Sequence, residues 1–246
     1  MTAPLFHLAP GGLDGVQSGQ VVVLDGPEGR HAATVRRMRV GAPIRLADGS
    51  GRVADGVVHG AGKDVLDVLV QSVREDESVG PTYALVQALA KGDRDLQAVE
   101  AATELGIDRI VPWQAERSIV QWRGDRAARA HRKWETTVQA AAKQCRRSRV
   151  PPVEELVDRR GLVARVEGAT TALVLHEDAE QSLADLALPE EGEVLLVVGP
   201  EGGIGPAELT ALQDAGAIAV RMGSTVLRSS NAGPAALAVL LSRTRW

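Results

Sequence analysis

The sequence predicts an α/β protein in which a small β-rich domain precedes a larger one built on a parallel sheet. Three observations carry this. Short β-branched runs separated by glycine-bearing turns occupy residues 1 to about 75. From Tyr83 onward, apolar strand-like runs alternate with helical patterns. Towards the C-terminus, two strand-like runs each end in a glycine-bearing loop that feeds a helix.

Composition sets the outer bounds. A chain of 246 residues can bury one large core or two modest ones, and 44% hydrophobic with 24% charged residues is an ordinary globular profile. Its one cysteine, Cys145, excludes an internal disulfide and fits a reducing, cytoplasmic setting. No apolar run approaches the roughly 20 residues that span a bilayer. The opening Met1-Thr2-Ala3-Pro4-Leu5-Phe6-His7 lacks a charged n-region and a long apolar core, so no signal peptide is expected. The net charge of −4 conceals a polarity: residues 117–149 carry ten Lys or Arg and two acids, whereas residues 150–246 carry seven and fourteen. Polyanion binding follows the local field, so the first of these stretches is a candidate surface.

In chain order, Gln20-Val21-Val22-Val23-Leu24 reads as a strand and residues 29–38 as a short helix. Ile44-Arg45-Leu46-Ala47, the turn Asp48-Gly49-Ser50-Gly51 and residues 52–59 read as a hairpin, with a further strand at residues 64–70. Such strands suggest a small barrel. Arg36, Arg37 and Arg39 cluster within it, either as a solvated face or as a binding patch. The charged, proline-ended stretch at residues 75–81 marks the domain boundary.

A strand at residues 83–89 then leads through Lys91-Gly92-Asp93-Arg94 to a helix with Leu96, Val99 and Thr103 on one face, stopped at Gly106. Residues 109–112 form the next strand. Asp125 is a candidate cap for the longest helix, Arg126 to about Arg147, whose apolar stripe runs Ala127, Ala130, Trp134, Val138, Ala141 and Cys145. That placement reads Cys145 as a small packing residue, not a nucleophile. Residues 170–175 form a buried strand ending at His176. The run Val194-Leu195-Leu196-Val197-Val198 breaks into Gly199-Pro200-Glu201-Gly202-Gly203, and Pro206 opens a helix bearing Leu209 and Leu212. Residues 218–220 lead into Met222-Gly223-Ser224-Thr225-Val226-Leu227-Arg228, followed by a helix at about 232–242. The two loops are expected at the ends of neighbouring strands. They match no phosphate-loop pattern, and no metal-ligand cluster or Ser-His-Asp arrangement stands out.

The paired loops, residues 196–204 and 222–228, resemble the cofactor loops of the RsmE family, SPOUT-class methyltransferases that methylate N3 of a uridine in small-subunit ribosomal RNA. Further similar segments are Ala90-Lys91-Gly92-Asp93-Arg94, Thr103-Glu104-Leu105-Gly106-Ile107, Glu116-Arg117-Ser118-Ile119 and Gln144-Cys145-Arg146-Arg147-Ser148-Arg149-Val150-Pro151. A segment with His31, Val35 and Arg37 extends the likeness to the first domain, so it covers most of the chain.

The resemblance implies a PUA-like RNA-binding β-barrel at residues 1–75 and a SPOUT α/β-knot methyltransferase domain at 76–246. It implies S-adenosylmethionine as cofactor, held by Val198, Gly199, Pro200, Gly202 and Gly203 in one loop. Met222, Gly223, Val226 and Leu227 would hold it from the other, with Leu175 and His176 on the same sheet edge. It implies RNA contacts by His31, Arg36, Arg37 and Arg39, by Lys91, Arg94 and Arg117, and by Arg147 and Arg149, to which the basic face of the long helix adds Arg132. Partners would be 16S rRNA of the small subunit and a second copy of the chain, with no metal and no membrane.

Arg228 is the candidate to steady charge on the uracil oxygens or to fix an RNA phosphate. Glu201 is the candidate proton acceptor, or a helix N-terminal partner. The chain also departs from the family. Ala101 replaces a lysine, Lys143 and Arg146 replace Glu and Gly, and Ser230 and Asn231 replace the Glu and Thr of Leu-Arg-Thr-Glu-Thr-Ala. Asn231 is left to cap the last helix or to hydrogen-bond a base. Two other readings stay open: a SPOUT enzyme for another RNA site such as a ribose hydroxyl, and a non-catalytic RNA-binding assembly factor.

Overall fold

The computed structural model describes residues 3–76 and 79–246, which divide into two compact units. Residues Ala142–Val150 cluster with the N-terminal unit, and the remainder from 79 onward forms the second. Glu77 and Ser78, in the middle of the expected linker, lie outside the described residues, as do Met1 and Thr2.

The first unit is a five-stranded half-barrel. Strands β1 (Leu5–His7), β2 (Val21–Leu24), β3 (Pro43–Ala47), β4 (Arg52–Gly62) and β5 (Val65–Glu75) assemble in the order β1-β3-β4-β5-β2. The β3–β4 hairpin is the expected one. Register shifts at Asp55/Gly56 and Val58/Gly60 bend β4 against β5. Leu24, Leu46, Leu66 and Val68 close the core. β1 was not foreseen: three residues pairing in parallel with β3 give no periodic signal of their own. The expected short helix is α1 (Gly26–Arg30), with Pro27 in its first turn, running straight into a π-helical turn at His31–Val35.

The second unit is a parallel sheet flanked by helices. It comprises β6 (Thr82–Ala88), α2 (Arg94–Leu105), β7 (Arg109–Trp113), α3 (Asp125–Gln144), α4 (Arg159–Gly168), β8 (Thr171–Leu175), β9 (Glu193–Val198), α5 (Pro206–Asp214), β10 (Ile218–Val220) and α6 (Ser229–Thr244). Strand order is β10-β8-β9-β6-β7, with every pairing parallel. Residues 194–198 of β9 are buried, as expected for a strand covered on both faces.

Four expectations are corrected. β9 and β10 are not neighbours, because β8 pairs with both and lies between them. α3 stops at Gln144 instead of Arg147. There Arg146 takes a left-handed φ of 60° and the Arg147 N–H closes back on the Ala142 carbonyl at 2.9 Å. Asp125 is the first residue of that helix, and Cys145 sits half-buried just past its end, its Sγ 3.6 Å from the Ala142 carbonyl.

The last helix is anchored at its C-terminal end. Arg245 donates to Asp108 at 2.6 and 3.3 Å and to the Pro81 carbonyl, and its guanidinium lies 5.1 Å from the Tyr83 ring centroid. The Tyr83 hydroxyl meets Thr244 Oγ1 at 2.9 Å.

Candidate active site

The carboxyl ends of β8, β9 and β10 open onto one cleft of about 790 Å³. Val198, Gly199, Pro200, Gly202 and Gly203 line it from the β9 loop, and Val226 and Leu227 from the β10 loop. Leu175 and His176, at the end of β8, lie between the two because β8 is the middle strand. Met222 and Gly223 line a smaller adjoining cavity of about 120 Å³ that shares Leu175, His176, Val226 and Leu227. Residues far apart in sequence are thus brought to one edge.

The β9 loop is held from several sides. A Cβ on Gly199 would lie 2.7 Å from Ile204 Cγ1, so a side chain there would displace Ile204 from its packing. Gly203, at φ 73°, donates its N–H to the Pro200 carbonyl at 2.9 Å. Arg117 Nη1 donates to the Gly202 carbonyl at 3.1 Å. The Glu201 carboxylate accepts from the Lys91 N–H at 2.9 Å and from Arg94 Nη1 at 3.1 Å. Desolvation pushes the Glu201 carboxyl upward, but the backbone N–H groups of Glu201 and Lys91 and the Arg94 guanidinium outweigh it. Its pKa therefore lies below the usual carboxylate range. Downstream, the fully buried Glu208 receives the N–H groups of Gly205 at 3.3 Å and Glu116 at 2.8 Å, which caps the start of α5 and also ties down the β7 exit.

The β10 loop is built differently. Residues 222–227 are bend and coil, and among the described residues their backbone enters no turn or ladder hydrogen bond. Val226 is 74% exposed. The loop ends at Arg228, the N-cap residue of α6, which lines the cleft with an exposed side chain that makes no capping bond. Among the described residues no carboxylate pairs with it. The neighbouring Ser229 Oγ accepts from Nε2 of the buried Gln87 at 3.1 Å. Asn231 does not cap the helix. It lies inside the first turn, exposed, with Oδ1 3.2 Å from the hydroxyl of the buried Ser230.

The basic residues divide by unit. Arg94 and Arg117 face the cleft, Lys91 is exposed beside it, and Arg132 is exposed on α3. In the first unit His31, Arg36, Arg37 and Arg39 are exposed on or just after the π-helical turn. Arg147 and Arg149 are half-buried, and Arg149 donates to the Asp76 carbonyl at 3.5 Å.

Sequence reasoning missed Glu177 and Asp178, carboxylates on the cleft wall, and the supporting pair Gln87 and Glu208. Two signals were available: a lone amide in the apolar β6 run, and Glu208 three residues after Gly205, the N3 position from which a carboxylate reaches back to a helix's first N–H.

Comparisons with known proteins agree with this geometry. The RNA methyltransferase domain family matches residues 79–241, and the RNA methyltransferase PUA domain family matches residues 24–71. A ribosomal RNA small subunit methyltransferase E from Mycobacterium bovis is 47% identical over 234 residues, covering 93% of this chain and 89% of that protein. The Bacillus subtilis protein of the same name is 26% identical over 93% of both. Among solved structures, the Neisseria gonorrhoeae methyltransferase E bound to S-adenosylmethionine superposes with a TM-score of 0.85 at 28% identity, covering 99% of this chain and 98% of that one. A Legionella pneumophila methyltransferase in complex with the same cofactor gives 0.84 at 27%, covering 99% of each chain. A parallel sheet ending in two glycine-bearing loops, behind a PUA domain and with nearly half its residues shared with a relative along most of its length, places the chain in the ribosomal RNA small subunit methyltransferase E (RsmE) family of SPOUT α/β-knot proteins.

Proposed function

We propose that this chain transfers a methyl group from S-adenosylmethionine to N3 of a specific uridine in 16S rRNA of the small ribosomal subunit. The observation that carries the reading is the cleft lined by Gly199, Gly202 and Gly203 from one loop, Val226 and Leu227 from the other, and the exposed Arg228. Relatives named for small-subunit rRNA methylation, and similar structures holding the cofactor, support it.

The residues present fit that cofactor. The cleft lies within the volume range of small-molecule sites, and Leu175, Val198, Ile204, Val226 and Leu227 give it apolar walls. Among the described residues the backbone of residues 222–227 enters no turn or ladder hydrogen bond, which leaves donors and acceptors for a ligand. Bound there, S-adenosylmethionine supplies an electrophilic methyl on its sulfonium. The protein's task is to receive a uracil out of its stack and steady the charge that grows as N3 loses its proton. Arg228, an exposed cation on the cleft, is suited to donate to the uracil oxygens. Glu201, acidified and occupied by Lys91 and Arg94, acts as an anchor of the cofactor loop and is a poor proton acceptor. The reading includes a homodimer and a cytoplasmic setting, as the family resemblance implies.

Mass spectrometry of 16S rRNA from a strain lacking the gene tests it. N3-methyluridine is expected to vanish and to return with the intact gene; full methylation without the gene overturns the reading.

The anchor role has its own test. Glu201→Gln is expected to weaken cofactor binding roughly 3- to 10-fold by calorimetry without RNA. Because the folded pKa is depressed, the anchor is complete above the ordinary glutamate value of about 4.3 and is lost as pH falls through the lower folded value. Affinity in the wild type is therefore flat in this group between about pH 6 and 8. Unchanged affinity in the variant would remove Glu201 from the cofactor site.

A further inference from the structure

We infer that the first unit carries a nucleotide-sized pocket for an RNA backbone phosphate, built from β1, the π-helical turn and the cap of α3. This rests on the RNA-substrate reading above and adds a site to it, with Lys143 and Arg146 as new members. The cavity, about 340 Å³, has Leu5 and Phe6 on one wall and His31 and Arg36 on a second. Lys143, Gln144 and Arg146 form the third. That volume exceeds a lone phosphate and suits one nucleotide unit.

Charge in the pocket is uneven in a telling way. Its one carboxylate, Glu28, is already occupied: Oε1 holds Lys143 Nζ at 2.6 Å and Oε2 accepts the His7 N–H at 3.1 Å. Arg36 and Arg146 are exposed, come from separate elements, and pair with no carboxylate among the described residues. Two arginines with no carboxylate partner among the described residues thus line one cavity, a pairing that suits a phosphodiester oxygen pair. The His31 ring, 5.9 Å from Phe6 by centroid, supplies an aromatic edge on the wall beside them.

The conformation of Arg146 points the same way. It holds φ 60° at the position after a helix where glycine is preferred, and the Arg147 N–H bond to Ala142 closes the same cap. A side chain there is strained for the fold, and this one belongs to the pocket lining.

The two effects can be separated by Arg146→Gly, which relieves the backbone while deleting the guanidinium. The expected result is a Tm equal to or up to about 2 °C above wild type. Affinity for in-vitro transcribed 16S rRNA should fall roughly 3- to 10-fold, with the salt slope lower by about one. Arg36→Gln, on the other wall, should give the same loss. Wild-type affinity and slope in both variants overturn the pocket. Saturable binding of inorganic phosphate, lost in Arg146→Gly while RNA affinity stays unchanged, assigns the pocket to free phosphate and also overturns it. The wild-type protein separates the two readings: if it binds no 16S rRNA, the substrate reading itself fails, whereas normal wild-type binding with unaffected variants sinks only the pocket.

Discussion

Replacing Arg228 with alanine is expected to lower kcat about 10²- to 10³-fold while leaving the affinity for S-adenosylmethionine within about twofold. On the proposed reading, the magnitude is that of removing one charged donor aimed at charge that exists only as the N3 proton departs. The side chain is well placed for a clean test. It occupies the N-cap position of α6 but makes no capping bond, so truncation leaves the helix start intact. Its neighbour Ser229 keeps its bond to Gln87. Arg228→Lys should recover only part of the loss, because a point charge lacks the planar fork. Single-turnover methylation of 16S rRNA, paired with cofactor calorimetry, reads both quantities. A kcat within threefold of wild type would exclude Arg228 from the reacting centre.

Arg245→Ala should cost the second unit about 3 kcal/mol. Arg245 and Asp108 are each 15% exposed at the side chain, so the pair is largely withdrawn from water. Deleting the cation leaves Asp108 with the Tyr83 N–H at 2.8 Å but without its counter-charge. It also removes the stack on Tyr83 and the donor to Pro81. At about 2 to 4 °C per kcal/mol, Tm falls by roughly 6 to 12 °C. A double cycle with Asp108→Asn isolates the pair. A loss below about 1 kcal/mol would show the pair to be no better than a surface ion pair.

Much of this protein is legible because β-branched runs and glycines announce themselves. The buried run of β9, the break at Gly199 and the proline start of α5 all stand where the residues put them. What failed was relational. Nothing in residues 193–220 says that β8, earlier in the chain, inserts between β9 and β10. Asn231 looks like a cap, yet the chain turns helical after Arg228. Arg146 ends α3 because its own backbone turns left-handed, which side-chain polarity does not disclose. Glu201 stays open between proton acceptor and helix partner until Lys91 and Arg94 are seen on it, and Glu208 went unnoticed because its partners lie across the fold. A sequence names the ionisable groups but not which of them are already occupied.

The place of β8 between β9 and β10 makes the cleft a caliper of set gauge. Its two jaws hang from strands separated by two ladder spacings, about 10 Å. Spreading or narrowing them would break rungs of a continuous sheet, so the gap arrives already sized and the guest must match it.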